Sequence, residues 1–327
     1  MPETVLVTGA TGFIGSALCK ALVTQGHRVR ALHRHTSPLD LLRGVRVEHA
    51  IGDILQPDTL RQALQGVDWV FHAAAVAAYW RQRPETVLQA AVEGTGNIVE
   101  AARAAGVRRV VLTSSLAAMG LPRHGELLDE RHTYDLPPNH FIYGYAKYQA
   151  ELAALRLAER GPELVITNPS IVLGPGDVHQ ISGSLVVEAA RGRAFLYTEG
   201  GVNIVHIDDV VAGHIAAARR GRPGERYILG GENLTHRQLF TILTQVVGRR
   251  PPWLKLPTWT IGPLASAVDL LRTLVPMPLN GDQLRLSRYH LYCDTSKAER
   301  ELALPKPRPF RAAAEEAYAW YRQQGVL

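Results

Sequence analysis

Apolar runs and helix-period stretches alternate through the first half of the chain. Val5–Val7, Val29–Leu32, Val45–His49, Trp69–Phe71, Val110–Thr113 and Leu164–Thr167 each read as a short strand buried on both faces. Between them lie helical patterns: Phe13–Gln25 before Gly26, Asp58–Leu64 before Gly66, and Glu85–Ala105 before Gly106. A glycine just past the last turn supplies the left-handed residue that stops a helix. Strands that alternate with helices pair in parallel through right-handed crossovers, so the pattern predicts an α/β, doubly wound parallel sheet of the Rossmann type.

The second half keeps an echo of this alternation at Ile204–His206, Asp208–Arg220 and Arg226–Leu229. It then becomes proline-rich, with Pro251, Pro252, Pro257, Pro263, Pro276 and Pro278 separated by helical pieces. This shift predicts a dinucleotide-binding domain of residues 1–170 plus 205–230. Residues 171–204 plus 231–327 would form a smaller, partly helical, substrate-binding lobe.

Composition narrows the function classes. The 327 residues carry a formal net charge of +6, scattered rather than blocked, and no basic run has interleaved aromatics, so nucleic acid is not an expected partner. Cys19 and Cys293 lack metal-ligand spacing, and none of the histidines, among them His72, His206 and His214, forms a paired motif, so no metal is expected. The N-terminus enters a strand without a basic leader, and the apolar segment Trp259–Val275 is interrupted by Asp269 and Arg272. These features predict a cytoplasmic protein without an integral membrane segment, although contact of the C-terminal lobe with a membrane surface stays open.

Residues 4–15, TVLVTGATGFIG, combine a strand, a glycine turn and a helix start. Gly9 can adopt a backbone conformation closed to other residues, Gly12 leaves room for a pyrophosphate, and Gly15 permits close helix–strand packing. Amides at the helix start, from Thr11, Phe13 and Ile14, would hold the phosphates with the help of the helix dipole. After the second strand, His33 stands where a carboxylate would bind the ribose hydroxyl of NAD, and Arg34 follows it. Arg34 is either a reader of the 2′-phosphate or a solvated loop cation, and NADP(H) is favoured over NAD(H). Asp53 and Ile54, in GDIL, reach the adenine edge, or Asp53 caps the helix that begins near Asp58.

FIYGYAKYQAE, residues 141–151, holds three tyrosines and Lys147. Helical positions four apart lie ~40° apart and positions two apart ~200° apart, so Tyr143 shares a face with Lys147 and Tyr145 does not. A nearby ammonium favours a phenolate, which predicts that Lys147 brings Tyr143 toward a working pKa. Tyr145 and Tyr148 read as packing or lobe contacts. Ser114 and Ser115, at the carboxyl end of the fifth strand, can orient a substrate oxygen. Tyr79 and Trp80, in AAVAAYWRQRP, form either one wall of an apolar pocket or a lid packed on the core.

TGATGFIG, the strand-end TSS and YGYAK resemble the extended short-chain dehydrogenase/reductases of the NAD-dependent epimerase/dehydratase superfamily. The resemblance continues through HAAA at 72–75, VEGTGNIVEAA at 92–102, NPSIVLGPGD at 168–177 and VHIDDVVAGH at 205–214. NPS…GPGD and GERYILGGENLT are most similar to the dihydroflavonol-reductase-like branch and the hopanoid-associated sugar epimerases. The resemblance implies a catalytic set of Ser115, Tyr143 and Lys147, with Ser115 preferred to Ser114 because it lies five residues before Gly120. It also implies that Ala73 and Ala74 line the nicotinamide half of the cofactor site, that Pro169 lies near the carboxamide, that Lys147 reaches the nicotinamide ribose, and that the chain forms a homodimer. Three positions depart from the pattern. Ala91 stands where many members have Asn, Asn168 where nucleotide-sugar members have Arg, and Met119 where they often have Tyr. Met119 and Asn168 are accordingly expected at the substrate edge.

These readings converge on an NADP(H)-dependent oxidoreductase that interconverts a ketone or aldehyde with an alcohol on a small-molecule substrate. The alternative is an NAD-dependent nucleotide-sugar epimerase or dehydratase, in which the same triad gives no net redox change. A non-enzymatic nucleotide sensor on the same fold is the third reading.

Overall fold

The apolar runs become the centre of a seven-stranded sheet. In this computed structural model the described residues are 2–76, 83–123, 125–138, 140–272 and 281–327. Strands β1 (Thr4–Thr8), β2 (Arg28–His33), β3 (Glu48–Ile51), β4 (Trp69–His72), β5 (Arg109–Thr113) and β6 (Glu163–Pro169) lie beside β10 (Arg226–Leu229) in the order β10-β6-β5-β4-β1-β2-β3. All of these pairings are parallel. Consecutive strand residues point to opposite faces, and both faces are covered. Val5 and Val7 join a core with Leu18, Leu22 and Val210. Leu6, between them, joins the other with Leu60, Ile98 and Ala154.

Three covering helices fall close to their expected spans, α1 (Phe13–Thr24), α2 (Pro57–Ala63) and α3 (Pro84–Ala104), and α4 (Ile142–Ala158) carries Tyr143 and Lys147. Gly26, Gly66 and Gly106 follow the first three with φ of +84°, +66° and +71°. The third strand is displaced from the expected Val45–His49. The Val45 amide donates to the Leu42 carbonyl at 3.0 Å, closing a turn through Gly44, and pairing with β2 begins only at Glu48. Val47 instead packs its side chain against the core from outside the sheet.

The remaining strands build smaller sheets. β9 (Gly201–His206) pairs with β7 (Ile171–Leu173), β11 (Glu232–Thr235) and β13 (His290–Leu291). The strand expected at 204–206 thus lies in this second sheet, whereas α6 (Ile207–Arg220), which follows it, returns to pack on the main one. β8 (Leu196–Tyr197) pairs with β12 (Leu254–Lys255). Helices α5 (Ser184–Ala190), α7 (His236–Val246) and α11 (Phe310–Gln323) share an apolar core with the second sheet. Helices α8 (Thr258–Arg272), α9 (Gly281–Leu286) and α10 (Ser296–Leu302) complete the described chain, and α8 packs on α9. No helix among the described residues is long and apolar enough to cross a membrane.

Candidate active site

The carboxyl ends of β1, β4, β5 and β6 converge on one edge of the sheet. At β1, Gly9 has φ +63°, and a Cβ there would come within 2.7 Å of the Ala74 amide nitrogen. A Cβ at Gly15 would stand 2.1 Å from the Gly9 carbonyl oxygen. Packing within the chain therefore dictates both glycines. Gly12 differs: it has φ −90°, and the only neighbour its Cβ would meet among the described residues is the Gly9 carbonyl, at 3.3 Å. Its missing side chain serves the space outside the turn. That space borders the start of α1, which has no acidic residue in its first turn and leaves the amides of Phe13 and Ile14 without intrahelical partners. Thr11, Gly12, Phe13 and Ile14 are all partly exposed around this cradle. An open, amide-lined turn of this shape fits the pyrophosphate of a dinucleotide.

The backbone opposite the turn is held by a buried polar chain. The Ala74 amide donates to Thr8 Oγ1 at 3.1 Å. That hydroxyl meets His72 Nδ1 at 2.7 Å, and His72 Nε2 meets Thr95 Oγ1 at 3.1 Å. In a neutral imidazole one ring nitrogen donates and the other accepts, so the ring links the two threonine hydroxyls whichever tautomer it takes. Burial first, then the Lys147 charge, pushes His72 down to about 3, so it stays neutral. Ala73 and Ala74 are thereby fixed against the glycine turn.

At β5 the two serines separate. Ser114 is buried with its hydroxyl beside the Glu151 carboxylate, whereas Ser115 is partly exposed. Ser115 Oγ accepts from the Ala117 amide at 3.2 Å and hydrogen-bonds Tyr143. One turn further along α4, Lys147 Nζ donates to the Thr113 carbonyl at 2.9 Å. Burial lowers Lys147 to about 8, and the Glu151 carboxylate opposes that shift. The structure thus joins Ser115, Tyr143 and Lys147 in one place.

The direction expected for Tyr143 is corrected. Although the residue is partly exposed as a whole, its hydroxyl end is buried, and burial raises the phenol pKa against the smaller, lowering effect of the Ser115 hydrogen bond. Tyr145 and Tyr148 pack on Tyr134, with ring centroids 5.8 and 6.0 Å away.

Other expected residues take varied positions. Arg34 is exposed, two residues past Leu32, which pairs with Thr8 at the end of β1. Arg30, a second cation within β2, points elsewhere, onto Glu48 and the Ala63 carbonyl. Asp53 accepts from the Leu55 amide at 3.0 Å, while Gln56 is the N-cap of α2 and lends it no side-chain cap; Asp53 is not that helix's cap. The Ile54 carbonyl accepts from Asn97 at 2.8 Å, and its side chain fills the space beside Gly94. Pro169 ends β6, buried, in register with Leu229. Met119 and Asn168, expected at the substrate edge, are both fully buried. Met119 packs with Leu116, Leu128, Ile228 and Cys293. Asn168 Nδ2 donates to the Ser115 carbonyl at 3.0 Å and to Glu151 Oε1 at 2.7 Å, tying the serine loop to α4 from below. Tyr79 and Trp80 lie outside the described residues.

Sequence reasoning passed over Glu151. It lies four residues after Lys147 and eight after Tyr143, a helical spacing that marks one face. Burial raises its pKa, while Ser114, Asn168 and Arg226, 3.4 Å away, favour the charged form.

A sequence profile of the NAD dependent epimerase/dehydratase family matches residues 5–230. The chain belongs to that family. Over its full length it is 35% identical to a dihydroflavonol 4-reductase-like protein of Synechocystis sp., covering 97% of that protein. It is 34% identical to sterol demethylase protein B of Methylococcus capsulatus, with 99% of this chain and 100% of the relative aligned. Among solved structures, gox2253 superposes with a TM-score of 0.88 at 40% identity, covering 99% of both chains. Membership makes the chain an oxidoreductase-type enzyme of a family that uses a pyridine nucleotide.

Proposed function

We propose that the protein is an NADP(H)-dependent reductase that converts a ketone or aldehyde to an alcohol, or catalyses the reverse. The carrying observation is the Tyr143 hydroxyl hydrogen-bonded to Ser115, with Lys147 one helical turn away, at the sheet edge that also holds the glycine turn. The nicotinamide, when bound, supplies or accepts the hydride. Ser115 holds the carbonyl oxygen by a hydrogen bond, and Tyr143 donates the proton that completes the alcohol. Because burial keeps the phenol protonated at neutral pH, Tyr143 is set to act as an acid, the role that reduction requires. Lys147 orients the ribose and supports the phenolate left behind. A donor already in place for the developing alkoxide needs no reorganisation during the reaction.

Full-length similarity to a protein bearing a reductase name supports net reduction. Arg34, just past β2, is the proposed reader of the 2′-phosphate. Asn168 supports the same reading, because it replaces a substrate-facing cation with a buried structural amide. The family description keeps a second reading in view, an NAD-dependent sugar epimerase that returns its hydride. Titration with NADPH and NADH separates the two. We expect NADPH to bind at least about tenfold tighter, equivalent to ~1.4 kcal/mol, and Arg34→Ala to remove that preference. Equal or tighter NADH binding overturns the cofactor assignment. Tyr143→Phe should retain nucleotide binding and lose turnover; unchanged turnover overturns the acid role.

A further inference from the structure

Exposed apolar side chains concentrate on α8 and on the paired segments that lead into it. Ile261, Ala265 and Val268 turn one arc of α8 inward, onto Leu284 and Leu256. At ~100° per residue, Trp259, Pro263, Ala267 and Leu270 occupy the opposite arc, with Leu264 and Leu271 on its flank, and all of them are exposed. The helix is therefore apolar on the side that faces water as well as on the side that faces protein. α11 shows the usual alternative, with Arg311, Glu315, Glu316 and Arg322 outward. Trp259 is 79% exposed and Trp253, shortly before α8, 74%.

A second observation places charge next to the segment that leads into α8. Residues 190–197 and 249–256 run side by side. Arg249 Nε donates to the Ala190 carbonyl at 2.9 Å, the Trp253 amide donates to the Phe195 carbonyl at 3.0 Å, and β8 pairs with β12. The pairing places Arg191, Arg193, Arg249 and Arg250 at one end and exposed Phe195, Leu196, Trp253 and Leu254 next to them. The Phe195 and Trp253 rings lie 6.4 Å apart. Glu188 engages Arg191 and Arg193, but Arg249 and Arg250 have no carboxylate partner among the described residues.

We propose that this face docks on the surface of an anionic phospholipid bilayer. Tryptophans favour the boundary between headgroups and acyl chains, because the ring is apolar and its N–H needs a polar partner. An apolar helical arc lying in the membrane plane buries its side chains in that boundary, and neighbouring arginines meet lipid phosphates. The cations beside the aromatic cluster are what select an anionic bilayer over a second copy of this chain, whose own basic face would repel them. The inference is independent of the reductase reading, since it uses none of the residues at the sheet edge.

The test is flotation of the full chain with vesicles of phosphatidylcholine alone or with about 30 mol% phosphatidylglycerol. We expect binding to the anionic vesicles at least about tenfold stronger than to the neutral ones, weakening as salt rises. Trp259→Ser with Leu271→Ser should reduce it by a similar factor. Arg249→Gln with Arg250→Gln changes two exposed residues at the cost of the Arg249 bond to the Ala190 carbonyl, so its fold is checked by an unchanged melting temperature, and it should remove the preference for anionic lipid. Failure of the unmodified chain to float at low salt overturns the proposal, as does binding of anionic vesicles by both variants as strong as that of the unmodified chain. Self-association in sedimentation velocity that the Trp259/Leu271 variant abolishes, without flotation, assigns the face to a second copy and overturns it equally.

Discussion

Lys147→Met isolates the energetic cost of burying Lys147. Burial lowers its ammonium from the ordinary 10.5 to about 8. At ~1.4 kcal/mol per unit, carrying the charge costs about 3 kcal/mol wherever both folded and unfolded forms are protonated, that is, below pH 8. Between pH 8 and 10.5 the unfolded chain binds a proton that the folded chain has released, so this penalty fades as pH rises. At pH 9.5 roughly half of it remains. Methionine fills a similar volume without charge but loses the 2.9 Å bond from Nζ to the Thr113 carbonyl, a loss of about 1–2 kcal/mol. The variant should therefore be more stable than the parent by about 1–2 kcal/mol at pH 7, and that advantage should shrink or reverse at pH 9.5. Urea unfolding at the two pH values measures this directly. A variant less stable at pH 7, or a difference that ignores pH, refutes the reasoning. The expected loss of turnover would then accompany a gain in stability, as when a site residue is kept for function at the fold's expense.

Glu151→Gln removes the carboxylate that raises the Lys147 pKa, so that value should fall below about 8. The alkaline limb of NADPH binding, followed across pH, should shift to lower pH, and a shift the other way rejects the coupling. Gly15→Ala forces a Cβ to 2.1 Å from the Gly9 carbonyl, which only backbone movement relieves. We expect a loss of more than about 3 kcal/mol and a melting temperature lower by roughly 5–10 °C, read by calorimetry. Leu18→Ala, fully buried in the core under α1, should cost about 2–5 kcal/mol in urea unfolding without altering nucleotide preference.

The main sheet was legible because its strands are buried on both faces and its helices end in glycines, and both signals are local. β3 was misplaced because Val45 and Val47 are apolar for a different reason: one closes a turn, and the other packs from outside the sheet. The assignment of Gly201–His206 to a second sheet depends on β7, β11 and β13, partners that no local pattern names. Spacing on α4 placed Tyr143 and Lys147 together. The rise in the Tyr143 pKa escaped because sequence displays a neighbouring charge but not the water removed around a phenol. Burial also moved Asn168 and Met119 from expected substrate contacts to supports beneath the serine loop and in the core.

The position of β1 between β2 and β4 has a consequence for the newly made chain. Its β2 edge can be covered once residue 33 has been synthesised, but the β4 edge waits for residues 69–72. Until then Val5–Val7 presents an open, apolar strand edge of the kind that seeks pairing with other chains. The turn after β1 waits as well, because Gly9 is packed against Ala73 and Ala74. On the ribosome, the glycine turn, the first turn to be made, is among the later ones to be closed.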